Sequence, residues 1–131
     1  MTWPARHVST TIHRTPDAVV AIAGDPAALP RWAGGLADGI RQVEGRWVAD
    51  SPMGEVEVAF IGPIELGILD HDVTLPDGEI VHNPLRVLRN GDGSEVVFTV
   101  YQRPGMSDAD VEADVAAVAA DLERLRVLLE G

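Results

Sequence analysis

The sequence predicts an α+β fold: a curved antiparallel sheet of six to seven strands wrapped around one long C-terminal helix, with two short helices after the first strand. Three observations carry that prediction. An apolar stripe at helical spacing runs through the end of the chain. Between about residues 38 and 103, alternating apolar and polar residues are broken by Gly, Pro and Asn turns. Before that, two helix-start signals follow a single strand-like run.

Val8, Thr10 and Ile12 alternate with Ser9, Thr11 and His13, so residues 6–14 read as a strand. Thr15 can cap a helix, Pro16 suits its first turn, and Asp17 complements the helix dipole. The helix covers Ala18 to Ala23 and stops at Gly24. Asp25-Pro26 repeats the signal for a second short helix running to about Trp32, ended by Gly34-Gly35. Ile40 and Val43 then lie in one strand, and Trp47 and Val48 begin the next beyond Gly45. Val56, Val58 and Phe60 alternate with Glu55, Glu57 and Ala59, a half-buried strand broken at Gly62-Pro63. Ile68 to Thr74 forms another strand, closed by the turn Pro76-Asp77-Gly78. Glu79 to Arg89 follows, and Pro84 inside it implies an edge position or a bulge. Asn90-Gly91-Asp92-Gly93 is a strong hairpin turn, and Glu95 to Gln102 returns with Val96, Phe98 and Val100 on one face.

Pro104-Gly105 breaks that strand, Ser107 can cap a helix, and Asp108 and Asp110 load its first turn with negative charge. Val111, Val115, Val118, Leu122, Leu125 and Leu129 recur at steps of four and three. They form one stripe on a helix of about 23 residues, roughly 35 Å long. Asp114, Asp121, Glu123, Arg124 and Arg126 are left mostly to solvent. Only this stripe is large enough to cover a sheet of that size, and a twisted sheet must curl around it. A curled sheet and a straight rod do not mate at both ends, and the mismatch leaves room for a pocket.

The chain has 131 residues, 46% of them hydrophobic, which suits one domain over residues 1–131. Its formal net charge of −11 opposes binding to nucleic acid or to anionic membrane surfaces. There is no cysteine, hence no disulfide or thiolate metal site. The first residues do not read as a signal peptide, and no apolar run is long enough to span a bilayer, so a cytoplasmic location is expected. The four histidines are too scattered to suggest a metal centre, and no nucleotide-binding or nucleophile-elbow motif is present. No cofactor is expected.

Several pieces resemble the helix-grip fold of the START-like superfamily, also called Bet v 1-like or SRPBCC, and its polyketide cyclase/dehydrase-like branch. Thr15-Pro16-Asp17-Ala18-Val19-Val20 is similar to its opening of strand, Pro and short helix. Asp25-Pro26-Ala27-Ala28-Leu29-Pro30-Arg31-Trp32 resembles its second-helix motif. Gly67-Ile68-Leu69-Asp70-His71, Pro84-Leu85-Arg86-Val87 and Asp121-Leu122-Glu123-Arg124-Leu125 look like recurrent pieces of one bacterial subgroup. The resemblance implies a hydrophobic cavity. It does not imply one activity, because the superfamily includes lipid carriers, hormone receptors and cyclases.

Asp70-His71-Asp72 is the strongest candidate cluster for acid/base chemistry. Neighbours in a strand point to opposite faces, so Leu69, His71 and Val73 share the cavity side, away from Asp70 and Asp72. His71 is then a ligand-facing residue or a hydrogen-bonded structural histidine. His82 with Asn83 is a second polar pair that either reads a ligand or satisfies a bulge. Tyr101 offers a phenol near the end of the last strand. His71 and Tyr101 are the candidate catalytic groups. Trp32, Trp47 and Phe60, with His71 and Tyr101 and with Val118 and Leu122 from the helix, are the expected ligand-binding residues. Trp32 and Trp47 suit a plain core equally well. Arg86 either holds a ligand carboxylate from inside or pairs with a surface acid from outside.

Three functions are consistent with this pattern. The first is binding of a small hydrophobic or amphipathic molecule between sheet and helix. The second is a cyclase- or dehydrase-like enzyme working in the same cavity. The third is a protein-interaction module of the co-chaperone kind. An exposed edge strand would also allow a homodimer.

Overall fold

The computed structural model describes residues 1–131. Strand β1, Ala5–Ile12, is followed by helix α1, Pro16–Ala23. The Thr15 hydroxyl accepts from the Ala18 amide at 3.3 Å, and Pro16 occupies the first turn. The second expected helix, Pro26–Arg31, is 3-10 rather than α. Asp25 caps it by accepting from the Ala27 amide at 3.1 Å, but Pro30 inside lacks the N–H that an α-helix requires. A second 3-10 turn covers Gly34–Leu36.

Strands β2 (Ile40–Val43), β3 (Arg46–Ser51), β4 (Gly54–Phe60), β5 (His71–Thr74) and β6 (Ile80–Asn83) form an antiparallel sheet in that order. Strands β7 (Leu85–Asn90) and β8 (Gly93–Tyr101) join β1 in a second sheet, ordered β1-β8-β7. The expected strand from Ile68 begins only at His71, because a 3-10 turn at Ile64–Leu66 and a single bridge from Ile68 to Arg86 precede it.

β6 and β7 are one pass of chain interrupted at Pro84. The pairing opposite them keeps its register across the break. His71 faces Asn83, and Leu69 and Val87 still donate to Leu85 O (2.8 Å) and Gly67 O (2.9 Å). The side facing β8 does change there. Leu85 pairs with Phe98, and Pro84 O accepts from Thr99 at 3.0 Å, but Pro84 has no N–H to return. Beyond that point β6 pairs only with β5 and is the edge of its sheet, the role that proline implied.

Helix α2, Asp108–Glu130, packs on β1 and β8 of the three-stranded sheet. Ser107 and Asp110 form a reciprocal capping box at its start. The grip is uneven. Leu122, Leu125 and Leu129 are buried in the core with Ile12, Leu85 and Val96, whereas Val115 and Val118 are only half-buried. The C-terminal half of α2 is also tied down by polar contacts. Arg14 donates to Leu129 O at 2.7 Å, Arg124 to Trp32 O at 3.1 Å, and the Gly34 amide to Asp121 at 3.0 Å. No helix is long and apolar enough to cross a membrane.

Candidate functional site

The gap that opens where β6 leaves β8 is a cleft of about 310 Å³. Val73 and Leu75, then Val81 and Asn83, form one wall; Phe98, Val100 and Tyr101 of β8 form the other. Ala117 and Val118 of α2 close it, and Met53 at the β3–β4 turn overhangs it. The lining is mostly apolar, and the volume suits a small organic molecule. Two charged groups stand at it, Arg103 and Asp114. Arg103 is paired with Glu79. Burial raises the Asp114 carboxyl above the usual carboxylate range, partly opposed by Arg103.

His71 stands directly behind this wall. It is the cross-strand partner of Asn83, and its ring lies between Phe60 (5.6 Å between centroids) and Phe98 (5.8 Å, edge to face). Burial pushes its pKa below the ordinary 6.5, so the imidazole is neutral at pH 7. Its Nδ1 lies 3.0 Å from Leu69 O. A carbonyl only accepts, so Nδ1 carries the proton and Nε2 is a bare acceptor.

The freedom of that carbonyl has a local cause. In a regular ladder Leu69 O would take the Leu85 amide. Here the Leu85 amide donates instead to Asp70 Oδ1 at 3.0 Å. Asp70 also receives a two-pronged contact from Arg86, Nε to Oδ1 and Nη2 to Oδ2, both at 2.9 Å. That contact holds the Asp70 carboxyl below its usual range. Arg86 therefore points outward, and its acid partner is itself 8% exposed. Asp72 also faces outward and binds His82 Nδ1 at 2.8 Å. Of the polar pair, His82 is exposed and Asn83 half-buried, and both border the cleft.

The expected ligand residues divide four ways. Tyr101 and Val118 line the cleft, and the Tyr101 ring meets Trp3 edge-on at 6.2 Å. His71 adjoins the cleft through Val73, Asn83 and Phe98. Trp47 and Phe60 border a separate hollow at the other end of the β3–β4 hairpin, beside Pro26 and Ile64. Trp32 (3% exposed) and Leu122 (1%) are core residues rather than cleft walls, because the tightly packed half of α2 covers them. Asp114 is exposed, as the helix pattern implied, and borders the cleft from the same helix row as Val118, four residues on. No group of three or more metal-ligating side chains converges anywhere.

No protein-family model and no curated protein matches the sequence. Solved structures do resemble the fold. An uncharacterized protein from Bacillus thuringiensis aligns with a TM-score of 0.78 at 13% identity, covering 98% of this chain and 100% of that one. A START superfamily protein from Mycobacterium smegmatis aligns at 0.70 and 12% identity, covering 96% and 97%. Ara h 8.0201 aligns at 0.68 and 15% identity, covering 96% and 97%. The chain has the helix-grip fold of the START-like and Bet v 1-like proteins.

Proposed function

We propose that the chain acts as a single, cytoplasmic binding domain that holds a small, largely apolar molecule in the cleft between β6, β8 and the N-terminal half of α2. The observation that carries this reading is the cleft itself: about 310 Å³ of mostly apolar space beside the less buried half of an otherwise well-packed helix. Small-molecule sites have this make-up, a concave apolar wall with a few polar groups.

Titration with the neutral dye Nile red, read by its fluorescence, tests the proposal. Saturable binding at one site is expected. Ala117, exposed on α2 and bordering the cleft, gives the control. The A117W variant should fold normally and lose at least about tenfold in affinity, because an indole would occupy the space. Unchanged binding by folded A117W, or no saturable binding by the native chain, would refute the proposal.

A further inference from the structure

The outer face of the protein, on the far side of the sheets from the cleft and the core, carries an apolar patch with a charged fork at its centre. Leu69, Leu85 and Val87 are buried, so strand alternation turns Ile68, Arg86 and Leu88 outward, and Ile68 bridges to Arg86. Arg86 is the cross-strand partner of Val97 on β8. On the other side of the fork, the Ile61 amide donates to Asp70 O at 2.9 Å, which sets Ile61 beside Asp70. A side chain at Gly62 would collide with Ile68, so Ile68 closes over the backbone next to Ile61. Leu66 stands on the turn before Gly67, whose carbonyl takes the Val87 amide. Leu66 is 71% exposed, Ile61 54% and Leu88 49%. Single exposed apolar residues are ordinary, but a contiguous group of them marks a contact surface.

We propose that this face joins a second copy of the chain, outer face on outer face, about a two-fold axis. Charge is the first reason. The chain carries −11, so two copies repel each other over most of their surface. This face holds little of that charge. Asp70 and Arg86 cancel, Asp72 binds His82, and the other acids at its borders are Glu95 and Glu65. Beyond Val97, β8 and β1 continue it with Thr99, Ser9, Thr11 and His7. A basic protein would be drawn instead to the acids that crowd α2. The second reason is that the face complements itself. Arg86 donates to Asp70 through Nε and Nη2 and keeps Nη1 free. Glu95 accepts from Thr11 (2.7 Å) and Asn90 (3.3 Å) through Oε1 and keeps Oε2 free. Glu95 is the cross-strand partner of Leu88, and Arg86 lies two residues from it, so a free donor and a free acceptor flank the same leucine. A two-fold axis makes any contact between Arg86 of one copy and Glu95 of the other twice. The apolar residues form the buried centre, and the two charge pairs fix how the copies are turned.

Sedimentation velocity over a concentration series tests the proposal. The native chain should show a reversible monomer–dimer equilibrium below about 1 mM. L88K places an ammonium in the apolar centre, and E95R sets a like charge against Arg86 of the other copy. Each should weaken the dimer at least about tenfold while circular dichroism shows the native fold. A second measurement does not depend on a variant. The amide NMR signals of Ile61, Ile68, Leu88 and Val97 should move on dilution, while those of the edge strand β6 stay in place. A native chain that is still monomeric at about 1 mM would overturn the proposal and leave the face to a different partner. A dimer that withstands both L88K and E95R, or dilution shifts confined to β6, would overturn it in favour of another pairing, such as edge to edge.

Discussion

Asp70 and His71 are adjacent in sequence and point to opposite faces, yet both pKa values are lowered in the fold and both make stability fall on the acid side. Arg86 lowers the Asp70 carboxyl below its ordinary 3.8, so the contribution of Asp70 is fully present above pH 3.8 and is lost as pH falls through the lowered value. Burial lowers the His71 pKa below 6.5, so the unfolded chain binds the extra proton first. Stability therefore rises with pH between the folded value and 6.5, and falls as the solution is acidified below 6.5. Urea midpoints measured against pH should show two acid-side losses, one starting below 6.5 and one below 3.8. H71F should remove the upper one and keep the lower. D70N should remove the lower one and cost about 2 kcal/mol at pH 7, because its amide presents donors to the Arg86 guanidinium. Equal midpoints for D70N and the native chain would show that the fork contributes nothing. The sequence allowed these orientations to be read, since strand alternation separates Asp70 from His71. It gave no sign that Asp70 is the partner of Arg86, because that pairing depends on which strands are neighbours.

Among the elements, the β6–β7 pass shows how one residue shapes the site. Pro84 lacks the N–H that would return to β8, and beyond it β6 peels off to open the cleft. P84A restores the donor. Nile red affinity should fall several-fold while the folded structure persists, and unchanged affinity would separate the cleft from the proline. The β2–β3 turn offers a stability test. Glu44 has φ of 51° and Gly45 of 81°, the left-handed pair of a tight hairpin turn. Asn tolerates that conformation better than Glu, so E44N should raise the unfolding free energy by about 0.5 kcal/mol in chemical denaturation. A lower value in E44N would show that the Glu44 side chain makes a contact the turn geometry does not account for. The long helix and its six-residue stripe were legible because period and capping are local properties. The second short helix was legible as a helix start but not as 3-10, since Pro30 competes with the Asp25 cap in a way that periodicity does not weigh.

At the scale of the whole molecule, the architecture followed from counting faces: one apolar stripe, one sheet face to cover, and a curvature mismatch. The composition of the pocket did not follow. Of the seven expected ligand residues, the packing of α2 drew Trp32 and Leu122 into the core. Whether a buried ring ends in core or cavity is settled by its distance from the open end of the helix, which is a tertiary property. The uneven grip on α2 has a dynamic corollary. Amide hydrogens around Leu122 to Leu129 sit under buried leucines and fixed side-chain anchors, and should exchange only on global unfolding. Those around Val115 to Val118 lie beside the cleft under half-buried valines and should exchange through local opening, with markedly smaller protection factors. One continuous helix would then contain two cooperative units, and an occupant of the cleft should merge them by slowing exchange in the first half alone.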